Sequence, residues 1–145
     1  MTTRSLFSAV VVSGMIILLA CSSHEGSRSQ STNTFDYRQT ALEFVKALAA
    51  RDYPKAYAMT AQEYRMRTTL EQLRIAFETI VPTDWGTVGP VEVAHTMETW
   101  PSKLPSDMGW AYVSIGGDVY SEAVTVVVTS ENGEARIREI EFGRP

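Results

Sequence analysis

Cys21 is the only cysteine in the chain and stands in the run IILLACSS, residues 16–23, with His24 three residues beyond it. A thiol so placed could attack an electrophile, enter a disulfide or share a metal with the histidine. Further along, the side chains equipped for chemistry are Tyr57, Asp84, His95 and Tyr112. Two phenols, a carboxylate and an imidazole are the groups that move protons or donate to a developing oxyanion. Each has a plainer alternative. Buried tyrosines ordinarily pack in a core with the hydroxyl satisfied, and histidine is ordinarily a hydrogen-bonded core or rim residue. No Gly-x-Ser-x-Gly elbow, Gly-x-Gly-x-x-Gly turn or phosphate-binding loop occurs. The many Asp and Glu residues reveal no carboxylate pair without geometry.

The neighbours of Cys21 decide its chemistry. Arg4 gives a positive start, and residues 6–20, LFSAVVVSGMIILLA, carry no charge. A positive n-region, a short apolar run and small residues at the end are the layout of a cleaved signal peptide, here residues 1–20. The run falls short of the roughly 18 apolar residues of a spanning helix, which leaves a short N-terminal membrane anchor as the weaker alternative. Leu18-Leu19-Ala20-Cys21 resembles the lipobox of bacterial lipoproteins: an aliphatic residue three before the cysteine and a small one just before it. Leu19 is bulkier than the residue usual at its place. The resemblance implies diacylglycerol on the Cys21 sulfur, cleavage before Cys21 and acylation of the new amine, palmitate included. The sulfur is then a thioether and no nucleophile. With the thiol consumed and His95 the only other histidine, no Cys/His metal cluster can be assembled, and neither metal nor cofactor is expected. Each buried methylene contributes about 0.8 kcal/mol, so two or three chains hold where one would not. Ser22 in place of aspartate implies, for a Gram-negative source, the outer membrane facing the periplasm.

The chain of 145 residues reads as one domain with appendages: 44% hydrophobic and 21% charged residues are globular proportions. A net charge of −4 without a basic stripe argues against nucleic acid as a partner. The densest cationic group, Arg65, Arg67 and Arg74, reads as a solvated helix face. Residues 21–34 are rich in Ser and Thr without a large apolar side chain, which predicts a flexible tether reaching about 20 Å. The folded domain is then 35–145.

Its first half reads as helical. Asp36 and Gln39 fit a capping box, and Tyr37, Ala41, Phe44, Val45 and Leu48 recur at amphipathic spacing, predicting a helix to about Arg51. Asp52-Tyr53-Pro54 restarts it, because proline is tolerated in a first turn. Tyr53, Tyr57 and Tyr64 share a face there, with Ala56 and Met66 nearby. A third helix starts at Thr69 with Gln72 as capping partner and ends at Pro82. The second half alternates as strands. Val91, Val93, His95, Met97 and Thr99 form one face of the first. A Pro- and Ser-rich loop follows, flanked by Trp100 and Trp110, which read as hydrophobic plugs or as a recognition surface. Strands at 110–115 and 120–129 surround a turn at Gly116-Gly117-Asp118. Asn132-Gly133 predicts a type I′ hairpin. The last strand, 135–142, slips in alternation between Ile137 and Ile140, predicting a bulge at Arg138-Glu139.

Helices followed by an antiparallel meander make an α+β plan. The segments ALEFVKALAARDYPKAYAMTAQEYR, residues 41–65, and ARIREIEFG, residues 135–143, resemble the nuclear-transport-factor-2-like superfamily, which is cystatin-like and cone-shaped. That resemblance covers roughly 35–145 and implies helices packed on the concave face of a curved antiparallel sheet. The superfamily holds binding modules and enzymes alike. Its isomerase-like members place a carboxylate base and tyrosine donors inside the cone, roles that residue type alone offers to Asp84, Tyr57 and Tyr112, with Tyr57 and Tyr112 turned inward. The expectation is a lipid-anchored, non-catalytic module that binds a protein partner or a small apolar ligand, in envelope maintenance or toxin immunity. The alternative is a small isomerase or hydrolase using the cone.

Overall fold

The computed structural model describes residues 36–117 and 120–144. The signal segment 1–20, Cys21, the tether 21–34 and the turn residue Asp118 lie outside the described residues.

Among the described residues, four helices precede four strands: α1 (Tyr37–Ala49), α2 (Tyr53–Ala58), α3 (Gln62–Arg67), α4 (Leu70–Ile80), β1 (Val88–Met97), β2 (Asp107–Gly117), β3 (Ser121–Glu131) and β4 (Glu134–Phe142). The strands form one open antiparallel sheet in the order β1-β2-β3-β4. The chain is therefore α+β, with helices before the sheet.

The five residues at helical spacing in α1 are all buried, together with Ala47. Phe44 and Leu48 are fully enclosed, and burying each contributes about 1.5–3 kcal/mol. Asp36 caps α1 by accepting from the Arg38 N–H at 3.0 Å. The expected capping box is not built: Asp36 accepts from Arg38 and not from the Gln39 N–H, and the Gln39 amide donates forward to Glu43 at 2.9 Å. In α4 both halves are made: Thr69 Oγ1 accepts from the Gln72 N–H, and Gln72 Oε1 accepts from the Thr69 N–H.

The expected second helix is two short helices. Between them the backbone pairs with the sheet: Ala61 N–H donates to the Ile137 carbonyl at 2.7 Å, and Ile137 N–H donates to Met59 at 3.0 Å. Ala61 has no capping side chain, so Glu131 supplies one from the β3–β4 hairpin, accepting from the Gln62 N–H at 2.9 Å. Tyr53 and Tyr64 are buried, but Met66 is 75% exposed and belongs to no core face.

One face of the sheet carries Ala111, Val113 and Ile115 of β2 with Val124, Val126 and Val128 of β3, all fully buried with Phe44, Leu48, Leu73 and Phe77. Gly109 leaves room for a ring on this face. A Cβ there would lie 2.3 Å from Tyr37, whose ring rests on the glycine backbone. The β3–β4 turn has Asn132 at φ 53° and Gly133 at φ 80°, the two positive values that type I′ requires.

Two bulges decide what faces outward. In β4, Val127 pairs with Glu139 and Val128 with Ile137, leaving Arg138 as the extra residue. The bulge keeps Ile137, Ile140 and Phe142 against the core and turns Glu139 and Glu141 to the opposite face. In β1, Val93 pairs with Val113 and His95 with Tyr112, leaving Ala94 unmatched. His95 thereby leaves the face of Val91 and Val93 and becomes exposed, contrary to the unbroken alternation expected of this strand.

Candidate functional site

The four side chains singled out from sequence do not meet. Tyr57 is half-buried against the core, and its hydroxyl donates to the Thr68 carbonyl at 2.9 Å, tying α2 to the start of α4. Asp84 is exposed in the turn between α4 and β1. Tyr112 alternates with Ala111 and Val113, so it faces away from the helices, not inward as expected. His95, its partner in the ladder, lies on that same outer face, with its ring 6.0 Å from Trp110 at 74°. A base and donors converging inside the fold are therefore not assembled from these residues. Among the described residues no three His, Cys, Asp or Glu are grouped to hold a metal.

The basic group at 65, 67 and 74 is occupied internally. Arg65 donates to the Thr60 carbonyl, and Arg67 donates to the Arg138 carbonyl at 3.0 Å. Arg74 lies between Glu71 and Glu78. Its hydrogen bonds hold the Glu71 carboxyl below the usual carboxylate range and push its own guanidinium up.

The outer face of the sheet has a built concavity. A cavity of about 180 Å³ is lined by Trp100, Ser102, Trp110, Thr125, Val127, Glu139 and Glu141, with Val126. Its floor is β3, whose residues from Ala123 through Thr129 are buried on both sides of the sheet. Its sides come from neighbouring ladder positions: Trp110 opposite Val127, Val127 opposite Glu139, and Thr125 opposite Glu141. Trp100 and Ser102 come from the loop between β1 and β2.

That loop is fixed at its base. Asp107, 5% exposed, accepts from the Leu104 N–H at 2.8 Å and from Arg138 through both oxygens. Ser106 accepts from the Ser130 N–H at 2.9 Å and from Thr129 Oγ1 at 3.0 Å. Lys103 Nζ donates to the Glu98 carbonyl at 2.6 Å and sits 5.5 Å from the centre of the Trp100 ring. The bond to Asp107 pushes the Arg138 guanidinium above its ordinary range.

The cavity thus brings together the two tryptophans that flank the loop and two glutamates near the end of the chain, none of which was counted with Tyr57, Asp84, His95 and Tyr112. The slip in alternation at Arg138 carried the signal, since it moves Glu139 and Glu141 onto the face of Trp110. Indole faces supply a flat apolar surface with negative potential, and ionised carboxylates accept hydrogen bonds and donate none. Such a lining can stack a flat group and accept hydrogen bonds from it. Comparison with protein-family models, with curated proteins and with solved structures returned no match to the chain.

Proposed function

We propose that the chain is a lipid-anchored cell-envelope lipoprotein whose α+β domain is a non-catalytic binding module of the nuclear-transport-factor-2-like type. One observation carries the binding reading: the aromatic and acidic cavity on the outer face, where Trp100, Trp110, Glu139 and Glu141 converge. Tyr57, Asp84, His95 and Tyr112, dispersed as they are, weaken the cone-based isomerase or hydrolase. The helix-first order and the four-stranded meander support the superfamily assignment. The lipobox-like Leu18-Leu19-Ala20-Cys21 supports the anchor, and Ser22 supports the outer membrane facing the periplasm.

Two measurements test this. Metabolic labelling with a palmitate analogue marks the wild-type chain and not Cys21→Ser; equal labelling of both would remove the anchor. Cross-linking in the intact envelope captures a set of partners that the Trp100→Ala/Trp110→Ala double variant loses while its circular dichroism is unchanged. An identical set from the folded double variant would end the reading of this cavity as the binding site.

A further inference from the structure

Resting on the binding reading above, we infer that the outer-face cavity takes an arginine side chain of a protein partner. The lining has two carboxylates, Glu139 and Glu141, and no cation. Arg138 is committed to Asp107 through two hydrogen bonds and also pairs with Glu139 at 3.3 Å, which leaves Glu141 as the carboxylate without a cation. Glu141 is exposed and forms no ion pair among the described residues. The occupant must therefore bring positive charge and hydrogen-bond donors.

A second, independent feature points the same way. Thr125 is 8% exposed and lines the cavity, yet its hydroxyl has no hydrogen-bond partner among the described residues. That hydroxyl opens onto solvent in the cavity, where it can accept a hydrogen bond from a ligand. The hydroxyl and the two carboxylates all lie on one side of the floor, at the paired positions Thr125–Glu141 and Val127–Glu139. The indoles of Trp100 and Trp110 form the remaining sides.

A guanidinium satisfies these demands together. It is planar, always charged, carries five N–H donors and stacks on aromatic rings. An ammonium group matches the charge but has no flat face to lay against an indole. A saccharide could stack on the indoles but would leave the Glu141 carboxylate without a cationic partner. The volume of about 180 Å³ suits the end of one side chain and not a folded segment. An arginine reaching in from a partner's surface therefore fits the size, charge and shape of the site. Lys103, already over Trp100, shows that this indole tolerates a cation nearby.

The experiment uses the full chain in detergent with its three tryptophan indoles labelled by nitrogen-15. Trp85, which packs on Tyr120 and does not line the cavity, is the internal reference. The probe is a blocked Ala-Arg-Ala peptide, compared with its lysine and citrulline counterparts and with a methyl glucoside. The Arg peptide is expected to shift the Trp100 and Trp110 resonances and leave Trp85 in place. Citrulline, the neutral isostere, should bind about tenfold more weakly, as loss of charge at an aromatic site implies. Glu139→Gln and Glu141→Gln should each weaken the Arg peptide about threefold to tenfold while preserving the spectrum of the rest of the fold. Equal binding of the Arg and citrulline peptides would overturn the inference, as would shifts caused by the glucoside alone. In either case a binding site remains and only its ligand class is refuted. If no probe moves either indole, the arginine assignment falls, and the cross-linking result for Trp100→Ala/Trp110→Ala decides separately whether the cavity binds anything.

Discussion

Arg138 meets Asp107 by two parallel hydrogen bonds, Nε to Oδ1 at 2.8 Å and Nη2 to Oδ2 at 2.9 Å, across the strand that separates β2 from β4. The bulge in β4 makes this reach possible. The Asp107 side chain is fully enclosed and that of Arg138 is 11% exposed. Removing one partner of such a pair strands a buried charge. Asp107→Ala and Arg138→Met are each expected to lower the unfolding free energy by about 3–5 kcal/mol in urea titrations. Asp107→Leu combined with Arg138→Met should recover most of that loss, because no charge is then left unpaired. In the single variants the Trp100 loop loses its fixed base, so tryptophan emission should shift to the red.

Tyr37 buries its hydroxyl without a hydrogen-bond partner among the described residues. Tyr37→Phe should therefore raise stability by about 1 kcal/mol, read as a higher midpoint of thermal unfolding. Gly109→Ala does the opposite, since its new methyl meets the same ring at 2.3 Å. Pairing Gly109→Ala with Tyr37→Leu should relieve the clash. A midpoint in the pair as low as in Gly109→Ala alone would show that the glycine serves another purpose.

Alkaline pH should weaken the fold through two phenols. Burial pushes Tyr53 above its ordinary 10.0, aided by its hydrogen bond to Glu78 and opposed by Arg51. Burial likewise pushes Tyr64 up, against a hydrogen bond with Thr68. Above the ordinary value the unfolded chain has shed protons that the folded chain still holds, so stability falls as pH rises. The contribution is complete below about pH 10 and is lost as pH climbs through the raised values. Urea midpoints measured between about pH 9 and pH 11 should decline, and Tyr64→Phe should flatten the decline.

The β3–β4 hairpin depends on backbone angles that a branched side chain resists. Gly133→Val is expected to cost at least about 1–2 kcal/mol by forcing a β-branched residue to positive φ. Asn132→Ala should cost less, since asparagine at φ 53° already bears part of that strain. Thermal melts of the two variants should rank in that order.

Local signals were legible in the sequence wherever neighbours along the chain decide the outcome. Thr69 with Gln72, Pro54 in a first turn, Asn132-Gly133 and the slip at Arg138 all show the structure that their residue types imply. What escaped is long-range. The second helix breaks because Met59 and Ala61 bond to Ile137, a partner that no periodicity names. His95 turns outward because Ala94 is an unmatched residue in a strand whose alternation looks unbroken. The site escaped for the same reason. Trp100 and Glu141 are forty-one positions apart in the chain and meet only once β3 lies between β2 and β4.

The backbone contact between Met59, Ala61 and Ile137 has a bearing on association. An antiparallel sheet can recruit a stranger's strand wherever its outermost ladder is open. Here the chain fills part of the β4 ladder with its own loop, and Arg136 adds a bond from β4 to the Ala58 carbonyl at 2.8 Å. At the opposite border, Pro90 lacks an N–H and Ala94 kinks the strand, so β1 offers an interrupted template. Sideways growth by strand addition is thus discouraged at both borders.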